Sequence, residues 1–233
     1  MFVGFACVLV AVFLALGTWQ VQRRAWKLDL IERVESRIHA PAAPAPARDD
    51  WPHVDAAHDE YRHVLLTGHW MDQHSAWVVA ATELGTGYWL MTPLQTGDGS
   101  VVWVNRGYVS QDTRARGVAP APAAMVSVSG LLRLNEPGGT WLRRNDPAND
   151  RWYSRDVDAL SARHGLVSTA PFFIDADASA APPRADEPVG GLTVVSFPNN
   201  HLVYALTWFT LALLSAWAAW SLWYPSRHDS DAH

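Results

Sequence analysis

Residues Leu202 to Tyr224 read LVYALTWFTLALLSAWAAWSLWY, an apolar run without a single charged side chain. At about 1.5 Å of rise per residue, a helix of this length spans the roughly 30 Å of hydrocarbon in a bilayer. Four aromatic side chains of the kind that collect at membrane interfaces lie near its end: Trp217, Trp220, Trp223 and Tyr224. The run therefore predicts a transmembrane helix ending at Pro225, rather than the buried helix of a soluble domain.

A second uncharged run opens the chain, where Met1 to Gln22 read MFVGFACVLVAVFLALGTWQVQ. It is also long enough to cross a bilayer, and Trp19 and Trp26 lie at its end. A cleaved signal peptide is the alternative, because Ala15-Leu16-Gly17 has the small-x-small form of a cleavage site. No basic residue precedes the apolar run, however, so we expect a retained first transmembrane helix over residues 1–22.

Small residues recur at helical spacing in both runs and predict that the two helices pack together as an antiparallel pair. On the first helix the predicted contact face is Gly4, Cys7, Ala11 and Ala15. On the second helix it is Ala205, Ala212, Ser215 and Ala219, with His201 and Trp208 on the same face. In such a pair, His201 lies level with Trp19 to Arg23.

The segments after the first span predict an amphipathic extension and a tether. Apolar residues recur near helical spacing from Trp26 to Ile38, so residues 23–39 are predicted to extend the first helix near the lipid headgroups. Residues 40–50 follow as a tether rich in Pro and Ala, which favours an extended and semi-rigid chain.

Residues 51–198 predict a β-rich domain, because short runs of β-branched and aromatic residues alternate with turns rich in glycine. The predicted strands are Tyr61–Trp70, Ala76–Ala81, Tyr88–Leu94, Val101–Val109, Met125–Leu134, Phe172–Ile174 and Leu192–Phe197. Thr96 to Ser100 (TGDGS) predict a hairpin turn, and Asp156–His164 predict one short helix that ends at Gly165. The fold class is therefore an α+β membrane protein in which two transmembrane helices, 1–22 and 199–224, flank a mostly antiparallel small barrel or sandwich.

Composition excludes several classes of function. The net charge of −5 gives no broad basic surface, so we expect no nucleic-acid partner. The single cysteine, Cys7, lies inside an apolar run and offers neither a disulfide nor a plausible thiol nucleophile. No Walker A, G-x-S-x-G, H-E-x-x-H or dinucleotide glycine motif is present, so we expect no catalytic residues and no enzyme.

Five histidines crowd into the first part of the β-rich domain: His53, His58, His63, His69 and His74. Imidazole suits copper and zinc, so a metal-dependent enzyme using His63, His69 or His74 is one interpretation. No pair has the close spacing of a known metal motif, which favours solvated strand edges and turns instead. We therefore predict no metal site.

His201 is the residue that raises a functional question, because an ionisable side chain at the mouth of a membrane helix is costly. Imidazole is a frequent axial ligand of haem iron, and Tyr204 and Trp208 lie beside it on the same helix. Arg23 and Arg24, at the same level on the first helix, could pair with haem propionates. A porphyrin lodged between the two helices is thus one interpretation; simple anchoring and a hydrogen bond between the helices are the others.

Motifs spread along most of the chain resemble those of a known family. They are Leu16-Gly17-Thr18-Trp19-Gln20-Val21-Gln22-Arg23-Arg24-Ala25-Trp26-Lys27, Glu60-Tyr61-Arg62, Gly87-Tyr88, Thr92-Pro93-Leu94, Val104-Asn105-Arg106-Gly107-Tyr108-Val109, Gly130-Leu131-Leu132-Arg133, Trp152-Tyr153-x-Arg155-Asp156 and Asn199-Asn200-His201-Leu202. In this order, between two spans, they resemble the Surfeit locus protein 1 family of cytochrome c oxidase assembly factors.

The resemblance implies that the chain helps to mature the large catalytic subunit of the oxidase by binding and delivering haem a. His201 matches the second-span histidine to which haem a binding is attributed in bacterial members of the family. The large subunit is therefore an expected partner, and haem a synthase is a further candidate. A membrane scaffold that binds assembly intermediates without haem is the alternative function, and Arg106 is a candidate contact in it.

The resemblance also bears on location. It implies that both termini are cytoplasmic, including a tail over residues 225–233, and that the central domain is extracytoplasmic. The basic residues point the other way, since Arg23, Arg24, Lys27, Arg33 and Arg37 all follow the first span. Long loops cross membranes largely regardless of that count. One Lys against seventeen Arg, with abundant Ala and Pro, is a composition we associate with a bacterium, hence with a bacterial plasma membrane.

Overall fold

The structure is a computed structural model that describes residues 2–193 and 200–224. Most of the predicted strand Leu192–Phe197 and the predicted tail 225–233 lie outside the described residues, and Leu192 and Thr193 are not in a strand. The chain divides into two compact units. We call them the helix unit, the described residues of Met1–Arg33 and Val195–His233, and the barrel unit, those of Val34–Val194.

Two helices form the helix unit. Helix α1 runs over Phe2–Ile38, its last turn lying in the barrel unit, and helix α4 runs over His201–Trp223. By length and composition both could cross a membrane, and few of the side chains in their most apolar stretches are buried. Large apolar side chains such as Phe5, Leu213 and Trp217 are exposed, unlike those of the core helix of a soluble domain.

The two helices of the helix unit pack against each other as an antiparallel pair. On α4 the predicted face is confirmed, because Ala205 and Ala212 are buried and Ser215 and Ala219 are partly buried. The predicted face on α1 is wrong: Gly4, Cys7, Ala11 and Ala15 are all exposed.

The contact face of α1 is instead built from Ala6, Phe13, Gly17 and Gln20. Phe13 stacks on Trp208 with a ring-centroid distance of 5.7 Å. Gly17 receives the ring of Phe209 so closely that a Cβ atom there would lie 2.6 Å from the Cε1 atom of Phe209. Large aromatic rings of α4, and not only small residues of α1, therefore decide which face is buried.

The barrel unit contains seven strands and two short helices among its described residues. The strands are β1 (Ala43–Pro44), β2 (His63–Trp70), β3 (Ala76–Thr82), β4 (Gly85–Thr96), β5 (Val101–Ser110), β6 (Val126–Leu134) and β7 (Thr169–Ala176). The helices are α2 (Gln111–Arg116) and α3 (Val157–His164), and 3₁₀ turns cover Arg48–His53, Asp72–His74 and Pro147–Asn149. Six of the seven predicted strands, now β2 to β7, and the predicted helix α3, which ends at Gly165, are confirmed to within a few residues.

Five of these strands close into a barrel, which decides between the predicted barrel and sandwich. Around the ring the order is β2, β6, β7, β5 and β4, and β4 pairs with β2 to close it. Only β5 and β7 run parallel within the ring, so it is mostly antiparallel, as predicted. Strand β1 adds to β2 in parallel, and β3 adds to β4 outside the ring.

Glycine permits the closure. At Gly68, where β2 leaves β6 for β4, a Cβ atom would lie 2.3 Å from the carbonyl oxygen of Gln95. The hairpin predicted between β4 and β5 is present, with Gly99 in a positive-φ conformation. Its Asp98 carboxylate accepts hydrogen bonds from the Thr96 and Ser100 side chains, and these bonds lower its pKa to about 2.

Two hydrophobic clusters hold the barrel unit together. The first lies inside the ring and includes Val64, Leu66, Leu94, Val104, Leu132, Phe172 and Ile174. The second lies under α3 and includes Ala76, Val78, Met91, Trp103, Trp152, Leu160 and Phe173. Neighbouring residues Phe172 and Phe173 enter different clusters because side chains alternate across a strand. The Trp103 indole donates to the Ser161 hydroxyl at 2.9 Å, which satisfies its buried N–H.

Candidate functional site in the helix unit

His201 is the first residue of α4, and its partly buried ring faces α1. The Nδ1 atom lies 2.8 Å from the Oε1 atom of Gln20. This contact agrees with the prediction that His201 lies level with Trp19 to Arg23. A hydrogen bond of this kind fixes both the position and the rotation of the imidazole.

The partner atom also determines which ring nitrogen carries the proton. An amide oxygen can only accept, so Nδ1 carries the hydrogen and donates it to Gln20. In the neutral ring, Nε2 then keeps its lone pair. A histidine held through one nitrogen by an oxygen, with the other nitrogen available, has the arrangement that metal-binding histidines commonly show. The His201 imidazole, held by Gln20, is therefore suited to act as an axial ligand of haem iron.

The two predicted neighbours of His201 on α4 differ in their surroundings. Tyr204 is exposed, with 55% of its surface accessible. Trp208 is partly buried, because its ring stacks on Phe13. His201, Tyr204 and Trp208 follow one another at steps of three and four, so all three lie along one side of the helix.

The two predicted arginines lie about one turn beyond Gln20 on α1. The Arg23 guanidinium is over the ring of Trp26, 4.2 Å from its centroid. Arg24 is partly buried and lies four residues after Gln20, hence on the same side of α1. The Arg24 side chain is thus about one helical turn from the His201–Gln20 contact.

Among the described residues, the two helices are in direct contact where we expected a crevice between them. The stacked rings of Phe13 and Trp208, and the ring of Phe209 against Gly17, fill the contact. At the level of Phe13 and Gly17, direct contact between the described side chains leaves no gap for a flat macrocycle. A ligand of His201 would have to approach from the outer side of the pair, where Tyr204 is exposed.

Gln20 is the site residue that the sequence analysis missed. It belongs to the quoted Trp19-Gln20 motif, yet it received no role of its own. Helical spacing could have found it, since Phe13, Gly17, Gln20 and Arg24 follow one another at steps of three and four. An uncharged polar side chain on that face, level with His201, predicts a hydrogen bond between the helices.

In the barrel unit, Arg106 belongs to the fold. Its side chain is only 13% exposed, and its Nη1 atom lies 3.3 Å from the Oδ1 atom of Asp72. The guanidinium also lies 5.5 Å from the ring centroid of Trp70. Burial lowers the pKa of Arg106, although the negative charges of Asp72 and Glu187 act to raise it. These contacts give Arg106 a structural role, whatever partner it also meets.

A buried charge network around Asp175, which the sequence analysis also missed, lies in the same unit. Asp175 is 3% exposed and accepts hydrogen bonds from Asn105, Arg133, Arg155 and Thr193 at distances of 2.8–3.2 Å. Burial on its own would lower the pKa of Arg155. The negative charges of Asp175 and Glu136 outweigh the effect of burial, so the pKa of Arg155 is raised. The sequence alone does not show which of the two aspartates in the Asp175-Ala176-Asp177 stretch is buried.

The histidines of the barrel unit do not assemble a metal centre within residues 2–193 and 200–224. No group of three or more His, Cys, Asp or Glu side chains there could hold an ion. His63 has both ring nitrogens against oxygen atoms: Nδ1 lies 2.9 Å from the Ala40 carbonyl and Nε2 lies 2.8 Å from Asp177. Two such acceptors suit a protonated ring, which has no lone pair for a metal.

Comparisons with known proteins agree with the motifs. The model of the SURF1 family matches residues 7–213, well over half of the chain. Surfeit locus protein 1 of Rattus norvegicus is 33% identical, over 94% of this chain and 74% of the relative. The Xenopus tropicalis protein of the same name is 33% identical over 87% and 69%, and the Homo sapiens protein is 30% identical over 90% and 72%. The chain therefore belongs to the SURF1 family, a family of cytochrome c oxidase assembly factors.

Proposed function

We propose that this chain aids assembly of cytochrome c oxidase by binding haem a through His201 and helping to deliver it to the large catalytic subunit. The observation that supports the proposal is the hydrogen bond from His201 Nδ1 to Gln20, which leaves Nε2 for the iron. The macrocycle is cargo, and the protein does no chemistry on it. Haem a synthase is the source from which the cargo would come.

The surroundings of His201 suit a carrier that must release what it binds. A single imidazole, open on its outer side, holds iron less firmly than two axial histidines in a closed cage. Tyr204 would offer an aromatic face to the ring, and Trp208 supports the same side of α4 from within the contact. Arg24, and Arg23 if it leaves Trp26, would pair with the propionates by charge-assisted hydrogen bonds.

The proposal is tested by purifying the full chain from cells that make haem a and measuring haem a per mole of protein. We expect His201→Ala to lower the content at least tenfold, and Gln20→Leu to lower it less, because the imidazole remains but loses its orientation. His39→Ala, which removes a histidine exposed at the end of α1, serves as the matched control. Equal haem a content in His201→Ala and the wild type would remove His201 from the ligand role.

A membrane scaffold that works without haem is the second candidate function. The filled contact between α1 and α4 favours it, because the helix pair is complete without a ligand between its members. The two functions differ in what His201→Ala does to the oxidase. A scaffold predicts normal amounts of assembled oxidase in cells that carry only this variant, whereas a haem a carrier predicts a loss that follows the haem content.

We also propose that the chain lies in a bacterial plasma membrane with α1 and α4 as its two spans. The barrel unit is then extracytoplasmic and both termini are cytoplasmic. The family resemblance supports the topology, against the basic residues that follow the first span. The arginine-rich composition supports the bacterial membrane. In intact cells, a membrane-impermeant thiol reagent should label Val167→Cys in the barrel unit. Protection of that cysteine would reverse the topology.

A further inference from the structure

The most exposed large apolar side chain of the described residues lies in the barrel unit, in the turn after β6. Trp141 is 92% exposed and its neighbour Leu142 is 71% exposed. Among the large apolar side chains with a known exposure in α1 and α4, none reaches this value; Trp217 comes nearest at 72%. We call residues 139–144 the Trp141 finger.

The finger is a tight turn with its own hydrogen bonds. The Thr140 N–H donates to the Arg143 carbonyl at 2.8 Å, and the Arg143 N–H donates to the Thr140 hydroxyl at 3.1 Å. Gly139 has φ +107°, and a Cβ atom there would lie 2.5 Å from the Arg143 carbonyl oxygen. Trp141 and Leu142 therefore occupy the two central positions of a closed turn and point away from the barrel unit.

Polar side chains attach the base of the finger to the barrel unit. Asn145 accepts from the Tyr153 and Ser154 N–H groups at 2.8 and 3.1 Å, and its own amide donates to the Ser154 hydroxyl. On the other side of the turn, the Gly138 N–H donates to Asp156 at 2.7 Å. This base holds the two apolar side chains in place before any partner arrives, so contact with a partner costs little ordering entropy.

The chemistry of the tip resembles that of side chains at a membrane interface. An indole carries a large apolar ring and one N–H, which suits the boundary between headgroups and hydrocarbon. Leu142 adds apolar surface, and Arg143 and Arg144 follow at once, both exposed. Guanidinium groups in that position are complementary to lipid phosphates.

We propose that the Trp141 finger enters the surface of a lipid bilayer, with Trp141 and Leu142 among the lipid tails nearest the headgroups and Arg143 and Arg144 against phosphates. A bilayer is always near this chain, because it carries two candidate spans of its own. Two side chains bury a few hundred Å² at most, whereas a stable protein interface needs about 800 Å² from each partner. The size of the tip therefore favours lipid over protein. The inference does not depend on haem binding.

A fluorescent probe on the full chain tests the proposal. In a Cys7→Ser background, Leu142→Cys is labelled with an environment-sensitive dye, and the protein is reconstituted into phosphatidylcholine, alone or mixed with phosphatidylglycerol. We expect a blue-shifted emission that lipids spin-labelled near the headgroup quench. Val167→Cys, at a position 79% exposed between α3 and β7, is the matched control and should report water.

Two further variants separate the parts of the finger. Trp141→Ala should reduce lipid quenching of the dye at 142 several-fold, because the largest apolar side chain is lost. Phosphatidylglycerol is anionic and should increase the lipid quenching of the dye at 142 when both arginines are present. Replacing both Arg143 and Arg144 by Gln should remove that increase. Arg144→Cys, which keeps both apolar side chains, provides a second labelling site should the dye at 142 disturb folding.

The proposal is overturned if dyes at 142 and 144 behave like the dye at 167, open to iodide in water and untouched by the spin-labelled lipids. A dye at 142 that becomes shielded only after oxidase subunits are added would overturn it as well, and would assign the finger to a protein contact.

Discussion

The helix unit and the barrel unit satisfy their polar groups in different ways. In the barrel unit, the buried carboxylate of Asp175 has four residues donating to it. In the helix unit, the His201 ring has one hydrogen-bond partner among the described residues, Gln20, for its two nitrogens. A buried carboxylate with its partners in place stabilises and specifies a fold. The second nitrogen of the His201 ring, which is only partly buried, is left for water or for a ligand. His201 is therefore a better candidate for a binding role than the larger charge network around Asp175.

The largest effect is expected in the barrel unit, from Asp175→Asn. The substitution removes the negative charge from between two largely buried guanidinium groups, those of Arg133 and Arg155. We expect a loss of about 3 kcal/mol in the free energy of unfolding, since breaking a buried ion pair leaves a charge without compensation. Chemical denaturation of the purified full chain measures it.

Asp186→Asn is the matched control for that prediction, because it removes an Asp from an exposed pair with Arg184. A surface pair contributes less than about 1 kcal/mol. If the two variants lost equal stability, the Asp175 network would be no more than surface charge, and the contrast between the two units would fail.

A matched pair of glycines tests packing in the two units. At Gly68 of β2, an added Cβ atom meets the backbone oxygen of Gln95, which cannot move without opening the barrel. At Gly17 of α1, it meets the ring of Phe209, which can rotate. We expect Gly68→Ala to cost about 1–3 kcal/mol of stability.

Gly17→Ala should cost less than Gly68→Ala, because alanine also favours the helical conformation by up to about 1 kcal/mol. Thermal unfolding of both variants, followed by tryptophan fluorescence in detergent, compares them. A greater loss at Gly17 than at Gly68 would mean that the helix contact is the more rigid of the two.

The smallest effect concerns pH. Burial lowers the pKa of His63, but its bonds to Asp177 and to the Ala40 carbonyl outweigh burial, and the pKa is raised. A raised folded-state pKa gives stability that is fully present below the unfolded value of about 6.5 and is lost as pH rises through the folded value. We expect Asp177→Asn to remove this pH dependence, worth less than about 1 kcal/mol for a partly exposed pair.

Unfolding of the wild type and Asp177→Asn across the range around neutral pH measures the difference. Asp186→Asn, which removes an exposed carboxylate paired with an arginine and not with a histidine, is the control and should leave the pH dependence of the wild type unchanged. Burial lowers the pKa of His164, which adds a slope of the opposite sign to both proteins. The assignment is therefore contradicted if the stability difference between the wild type and Asp177→Asn grows as pH rises across this window.

Periodic elements of the fold could be predicted from the sequence. Strands β2 to β7 could be predicted because β-branched and aromatic residues and turn glycines mark them, and α4 because its apolar run is uncharged and long enough to span a bilayer. Closure of the barrel could not be predicted, because it depends on Gly68 passing close to Gln95, a contact between distant positions.

The contact face of α1 shows a different limit. Small residues occur on two sides of this helix, and spacing alone does not say which side meets α4. Phe13 and Gly17 decide it through Trp208 and Phe209, side chains of the other helix. For the candidate site, the position of His201 could be predicted from its place in the chain. Its partner Gln20 could be identified only from the packed helix pair.

Strand β7 inserts between β5 and β6, although it is made more than thirty residues after β6 ends. Without Thr169–Ala176, strands β5 and β6 would each be left with an unpaired edge and the ring could not close. A chain truncated before Thr169 is therefore expected to lack the closed ring and to expose strand edges that favour aggregation. Truncations at different points before Thr169 should for this reason have the same effect on folding, whichever residues they remove.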